Sequence, residues 1–219
     1  AIRLLLPLAV ASRGEDEDAM RLLETATQRI QQHDELAARL TDMLKLRDDI
    51  EGRVVTRMQG RRIKFAADDG FTLSGVLVEA EGAGRHQPAI VLVAPEDTLA
   101  DFDSLVVALR GSGLHTLLLN VRGSGWSVGR TCPLPDSWRG REEPLLRRVA
   151  SDVRDAVRAV SLASRADASG VVLVASRSMV LAGALAASQD KRVRALVLLS
   201  PNPDPVDRGV VVATLAGRR

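Results

Sequence analysis

Four uninterrupted apolar runs limit what this chain can fold into more than any other feature. They lie at residues 89–93 (AIVLV), 116–119 (TLLL), 171–174 (VVLV) and 195–199 (ALVLL). Runs that do not alternate with polar residues suit strands covered on both faces, as in a parallel sheet. The segments between them change period. Residues 102–110 carry Leu105, Val106 and Leu109 on one side. Residues 145–162 place Val149, Val153, Ala156, Val157 and Val160 at helical spacing. Residues 179–188 are small and apolar, which fits a helix packed closely on a sheet. The alternation predicts an α/β protein with a mostly parallel sheet, right-handed crossovers and helices on both faces.

Upstream the pattern differs. Residues 63–65 and 73–78 flank Asp69-Gly70 and predict a β-hairpin at one edge of the sheet. Residues 15–52 contain no proline, begin with Glu15, Asp16, Glu17 and Asp18, and reach Gly52. An acidic first turn suits the positive end of a helix dipole, and a glycine suits its stop, so one long amphipathic helix is expected there. Leu23, Ile30, Ala37 and Leu44 recur every seven residues, with Leu36, Leu40, Met43, Ile50 and Val54 on a shifted face. That stripe fits self-association through the helix, or packing against its own domain or a lipid surface. Residues 4–11 are apolar and end in Ala9-Val10-Ala11, the small-x-small form of a signal-peptidase site. Residues 1–14 are therefore a possible signal-peptide remnant, and exported, periplasmic and cytoplasmic locations all stay open. The run is too short to span a bilayer, and no transmembrane span is expected. The division implied is residues 1–14, a helix and linker over 15–59, and an α/β domain over 60–219.

Composition excludes several functions. Charged residues make up 26% of the chain and leave a net charge of only +2, with arginines and acids interleaved. Aromatics are 2%, so base-stacking platforms are lacking and no nucleic-acid partner is expected. Cys132 is the single cysteine, and His33, His86 and His115 are scattered, so no metal is expected. Gly123-x-Gly125 lacks the following dinucleotide spacing and no Walker sequence occurs, so no cofactor is expected.

Three stretches carry chemistry-bearing patterns in order: Asn120-Val121-Arg122-Gly123-Ser124-Gly125-Trp126-Ser127, Val172-Leu173-Val174-Ala175-Ser176-Arg177-Ser178-Met179-Val180, and Val193-Arg194-Ala195-Leu196-Val197-Leu198-Leu199-Ser200-Pro201. With Asp152-Val153 in the intervening helix, they resemble the α/β-hydrolase superfamily, in its esterase and serine-aminopeptidase-like branch. The first looks like that family's D-x-R-G-x-G-x-S loop, the second like its nucleophile elbow, and the third like the next strand and its exit. The resemblance covers about residue 60 onward.

It implies a serine hydrolase acting on esters or amides, with Ser178 in the nucleophile position and the backbone N–H groups of Glu96 and Met179 at the oxyanion hole. It also implies loss. The elbow G-x-S-x-G reads Ser176, Arg177, Ser178, Met179, Val180, with a β-branched residue for the second glycine. The His-Gly stretch of the family corresponds to Ala94-Pro95-Glu96-Asp97, where Pro95 has no N–H to donate. Asp204 and Asp207 fall one strand early for the usual acid. No histidine follows Ser178, and His115 precedes it against the family's order. The expectation is a truncated α/β-hydrolase relative, inactive or very weak as this chain and open to a small ester or amide substrate. The alternative is a non-catalytic scaffold or binding module using the N-terminal helix.

Overall fold

A computed structural model describes residues 15–16, 18–23, 37–82, 87–93, 98–133, 138–164 and 170–199. Residues 1–14, Ile30, His33, His86, the 94–97 stretch with Glu96, and Ser200 onward, including Asp204 and Asp207, lie outside them.

The apolar runs form four neighbouring strands of a six-stranded sheet, the run at 195–199 lying at its edge and only partly covered rather than buried on both faces. Its strands are β1 (Gly60–Ala66), β2 (Thr72–Val78), β3 (Gln87–Val93), β4 (Leu114–Asn120), β5 (Val171–Ser176) and β6 (Val193–Leu199), in the order β1-β2-β4-β3-β5-β6. The β3–β4, β3–β5 and β5–β6 pairings are parallel. The β1–β2 hairpin turns at Asp69-Gly70, and β2 joins the sheet antiparallel to β4. The sheet is thus divided into an antiparallel part at the hairpin edge and a parallel part. Edge strand β1 carries Arg61, Arg62 and Lys64, charges that discourage edge-to-edge pairing.

Helices cover both faces, and residue alternation decides which side chain meets which layer. On one face Leu77, Leu117, Leu119, Leu173 and Ala175 pack with α3 (Glu142–Ser164) and α4 (Val180–Gln189). The α3 stripe Val149, Val153, Ala156, Val157 and Val160 is completely buried there, as its spacing predicts. On the other face Val76, Val78, Leu118 and Val174 pack with Val54 and Val55 of α1 (Ala37–Arg57), Met58 just after it, and Val106 of α2 (Asp103–Gly111). Gly183 marks the closest approach of α4 to the sheet: a Cβ there would lie 2.6 Å from the Ala175 Cβ.

The predicted N-terminal helix needs one correction. Gly52 does not end it; α1 continues to Arg57, and the chain leaves it through Gln59 at φ 54°. Glycine inside a helix costs roughly 1 kcal/mol. Burial of Val54, Val55 and Met58, each worth about 1.5–3 kcal/mol, outweighs that penalty. Residues 16 and 18–23 are also helical. This segment is tied to the body by Asp16, which accepts from Arg53 and Arg57 at 2.9 and 3.0 Å, and by Arg21, which pairs with Asp101 at 2.9 Å. Leu23 is buried within the single chain, so the chain's own packing covers that heptad position. No described helix is long and apolar enough to cross a membrane.

Candidate functional site

The carboxyl end of β5 is where the sequence places a nucleophile. The strand runs through Ser176, and a 3-10 turn, Arg177–Met179, leads directly into α4. Ser176 is extended, at φ −114° and ψ 154°. Arg177 then takes the left-handed region at φ 45°. A non-glycine residue there is strained by about 1–3 kcal/mol. Ser178 follows one position later, exposed, and Met179 is fully buried at φ −82° and ψ −3°. The Val180 N–H donates to the Arg177 carbonyl, closing the turn.

The strained position of the elbow is thus occupied by Arg177, and Ser178 sits in the relaxed residue after it. The cause lies in the packing. Met179 and Val180 are both buried, and β5 pairs with β6 as far as Ser176, so Arg177 is left to make the reversal. Val180 is accommodated beside Ala184, Leu196 and Leu198. The tight helix-to-strand contact falls at Gly183, three residues further on.

The residues after β4 form a built loop rather than an open cleft. The Gly123 N–H donates to the Ser127 carbonyl at 2.7 Å, and the Ser127 N–H to the Ser124 carbonyl at 2.8 Å. Ser124 Oγ donates to the Val121 carbonyl at 2.8 Å. Ser127 Oγ accepts from the Ser74 N–H at 2.8 Å, stitching the loop to β2. Arg122 is 5% exposed and makes two forked pairs: Nε and Nη2 with Asp152 at 2.7 and 2.6 Å, and Nη1 and Nη2 with Asp69 at 2.8 and 2.9 Å. Its guanidinium also lies 4.6 Å from the Phe71 ring centre. Burial works against the Arg122 charge, but the two carboxylates outweigh it and raise its affinity for the proton. Hydrogen bonding to Arg122 in turn holds the Asp69 carboxyl down at about 2. Arg122 and Asp152 therefore join the hairpin turn, the β4 exit and α3.

His115 accepts from the Ala80 N–H through Nδ1 at 3.2 Å, at the opposite end of β4 from Asn120. Cys132 is buried and bridges to Gly129. Among the described residues no group of three or more His, Cys, Asp or Glu could hold a metal ion. The structure therefore brings Ser178 and Met179 together at one turn, while Glu96 lies outside the described residues.

A second polar site was not legible in the sequence. Glu51 of α1 is buried, and half-buried Arg47 one turn before it reaches the Gly125 loop, which lies against Asn120. Arg47 Nη2 donates to the Gly125 carbonyl at 2.5 Å. Arg47 Nε, Glu51 Oε2 and both polar atoms of the Asn120 amide have no hydrogen-bond partner. The spacing of Arg47 and Glu51 fits an exposed i, i+4 pair, and only the docking of α1 on the sheet encloses them.

No family model matches the chain. It is 26% identical over 167 residues to polyketide transferase claH of Penicillium crustosum, covering 72% of this chain and 51% of that protein. Among solved structures, the α/β hydrolase GrgF from Penicillium sp. sh18 superposes with a TM-score of 0.52 at 23% identity, over 72% of this chain and 52% of its own. This chain has an α/β-hydrolase fold. AbyA5 shares that fold with a TM-score of 0.61 at 14% identity, over 89% of this chain and 50% of its own. Coverage of 89% exceeds what residues 60–219 alone provide, so the likeness to AbyA5 extends into the N-terminal helical segment. The chain spans about half the length of the relatives it matches. The α/β-hydrolase fold accounts for two of the sequence patterns meeting at one end of the sheet: the β4 exit loop and the β5 turn both lie at carboxyl ends of parallel strands, where α/β proteins place ligands.

Proposed function

We propose that this chain is a relative of serine esterases and peptidases that does not itself hydrolyse esters or amides through Ser178. The observation that carries this reading is the conformation of the β5 turn. A nucleophile elbow works because the strained residue projects its side chain above the sheet. Here that residue is Arg177, whose guanidinium cannot act as an acyl-accepting nucleophile. Ser178 occupies the turn position after it, outside the left-handed region. The sequence supports the same reading, because the stretch that resembles the family's oxyanion loop contains Pro95, which has no N–H to donate.

By analogy of fold we place a small ester or amide at the carboxyl ends of the parallel strands, where α/β proteins bind ligands, and the likeness to a polyketide transferase makes polyketides the class to test first. Binding without turnover is the role we assign to that end of the sheet. One oxyanion donor is worth about 10²–10³-fold, enough for its loss to hide turnover. The test is hydrolysis of short-chain aryl esters by the wild type and by Ser178→Ala. Equal rates are expected. A rate that drops at least tenfold in Ser178→Ala would contradict the proposal.

A further inference from the structure

The side-chain polar atoms that are buried and unpartnered among the described residues belong to three residues, Arg47, Glu51 and Asn120. They are contiguous in space. Glu51 Oε1 lies 3.8 Å from Arg47 Nε, too far for a hydrogen bond. Arg47 reaches the Gly125 carbonyl. Gly125, at φ 47°, lies against Asn120 so closely that an added Cβ would overlap the Asn120 amide. Buried polar groups are almost always satisfied, so four orphans in one joint mark a place where the closed arrangement is held against a penalty.

The joint lies between two regions of different strength. Beyond Gly52, α1 is anchored by Val54, Val55 and Met58 in the apolar cluster and by the Arg53 and Arg57 pairs with Asp16. Before Gly52, the contacts over the sheet end are polar: Arg47 with Gly125, and Asp48 Oδ1 accepting from Trp126 Nε1 at 2.8 Å. Met43 and Ile50 supply the buried apolar side chains of that half among the described ones. Gly52 makes no contact that a side chain would fill and is the weakest helical residue between the two halves. A helix divided in this way opens first on its polar side.

We propose that the part of α1 preceding Gly52 is a proton-gated cap over the carboxyl end of β4, docked while Glu51 is protonated and released when Glu51 ionises. The charged groups facing Glu51 are Arg47 and Asp48 on α1 and Arg62 on β1, whose guanidinium lies 4.1 Å from the centre of the Trp126 ring. Arg47 and Arg62 favour the carboxylate and Asp48 opposes it. Burial outweighs all three and pushes the Glu51 carboxyl up to about 7. A neutral Glu51 can stay enclosed without a partner for Oε2 at moderate cost. An ionised one is an enclosed charge with no hydrogen-bonded cation, a far less favourable state. Release wets Glu51, Arg47 and the Asn120 amide together and uncovers the end of β4. This inference concerns access to the sheet end and stands whether or not Ser178 is reactive.

The sign follows from linkage. Glu51 binds its proton more tightly docked than released, so docking is favoured at low pH and weakens as pH rises through the docked value. From pH 6 to pH 8 the docked-to-released ratio should fall about tenfold. Hydrogen exchange of the full chain, corrected for intrinsic rates, reads this directly. Residues 43–51 should lose about tenfold in protection between pH 6 and pH 8, while residues 54–58 keep theirs. Glu51→Gln, which fixes the neutral shape, should keep residues 43–51 protected at both values. The wild-type loss should level off above about pH 7, a feature independent of that variant. Equal wild-type protection at pH 6 and pH 8, or a tenfold loss that persists in Glu51→Gln, would overturn the proposal.

Discussion

Asp69 and Arg122 show how single residues of the exit-loop pattern are spent on holding the fold. Asp69 accepts a forked pair from Arg122 and also takes the Phe71 N–H at 3.1 Å, which shapes the hairpin turn. With its carboxyl held down at about 2 against an ordinary 3.8, Asp69 contributes stability that is complete above the ordinary value. That contribution is lost as pH falls through the folded value. Denaturant melts of Asp69→Asn should therefore show a deficit against wild type at pH 5–7 that shrinks steadily towards pH 2. A deficit that does not change with pH would mean the pair with Arg122 contributes nothing through charge. The pairing of Arg122 with Asp152 is foreshadowed in the sequence, since both belong to patterns resembling one family. The contribution of Asp69 is not, because a residue in an Asp-Gly turn is usually there for the turn alone. Arg177 was hidden for a similar reason: two serines flank it, and nothing in a linear pattern says which residue the strand's last pairing leaves at the reversal.

At the scale of elements, the inner parallel strands and α3 are read with little loss from the sequence, because burial on both faces or on one stripe writes itself directly into apolar spacing, whereas β6 carries an equally apolar run at the sheet edge, with Val197 41% exposed. Helix ends are harder. The stop expected at Gly52 fails because Val54, Val55 and Met58 reach a sheet face whose existence depends on strands far along the chain. The same tertiary dependence relocates the tight spot of α4 from Val180 to Gly183. A side chain at Gly183 must displace Ala175 near the carboxyl end of β5, so Gly183→Val should destabilise the chain by about 1–3 kcal/mol through overpacking. Chemical denaturation would measure it. A change below a few tenths of a kcal/mol would show that α4 can lift from the sheet without loss, against the packing described here.

Across the whole molecule, the divided sheet sorts its roles by end and by face. The hairpin edge is charged, the α3–α4 face is apolar apart from buried Asp152 and Asp155 of α3, and the α1–α2 face becomes polar towards the carboxyl ends of the strands, where Asn120, Glu51 and Arg47 gather. The β5 turn reaches that same end with Arg177 at its crest and Ser178 beside it. The account therefore predicts a molecule that retains the outline of a hydrolase site without an activated serine. Labelling with a serine-directed fluorophosphonate, followed by mass mapping of the modified residue, tests this most directly. The account predicts no stoichiometric adduct on Ser178 in the wild type, and the same trace for Ser178→Ala. A stoichiometric adduct mapped to Ser178 and lost in Ser178→Ala would show an activated nucleophile and contradict it.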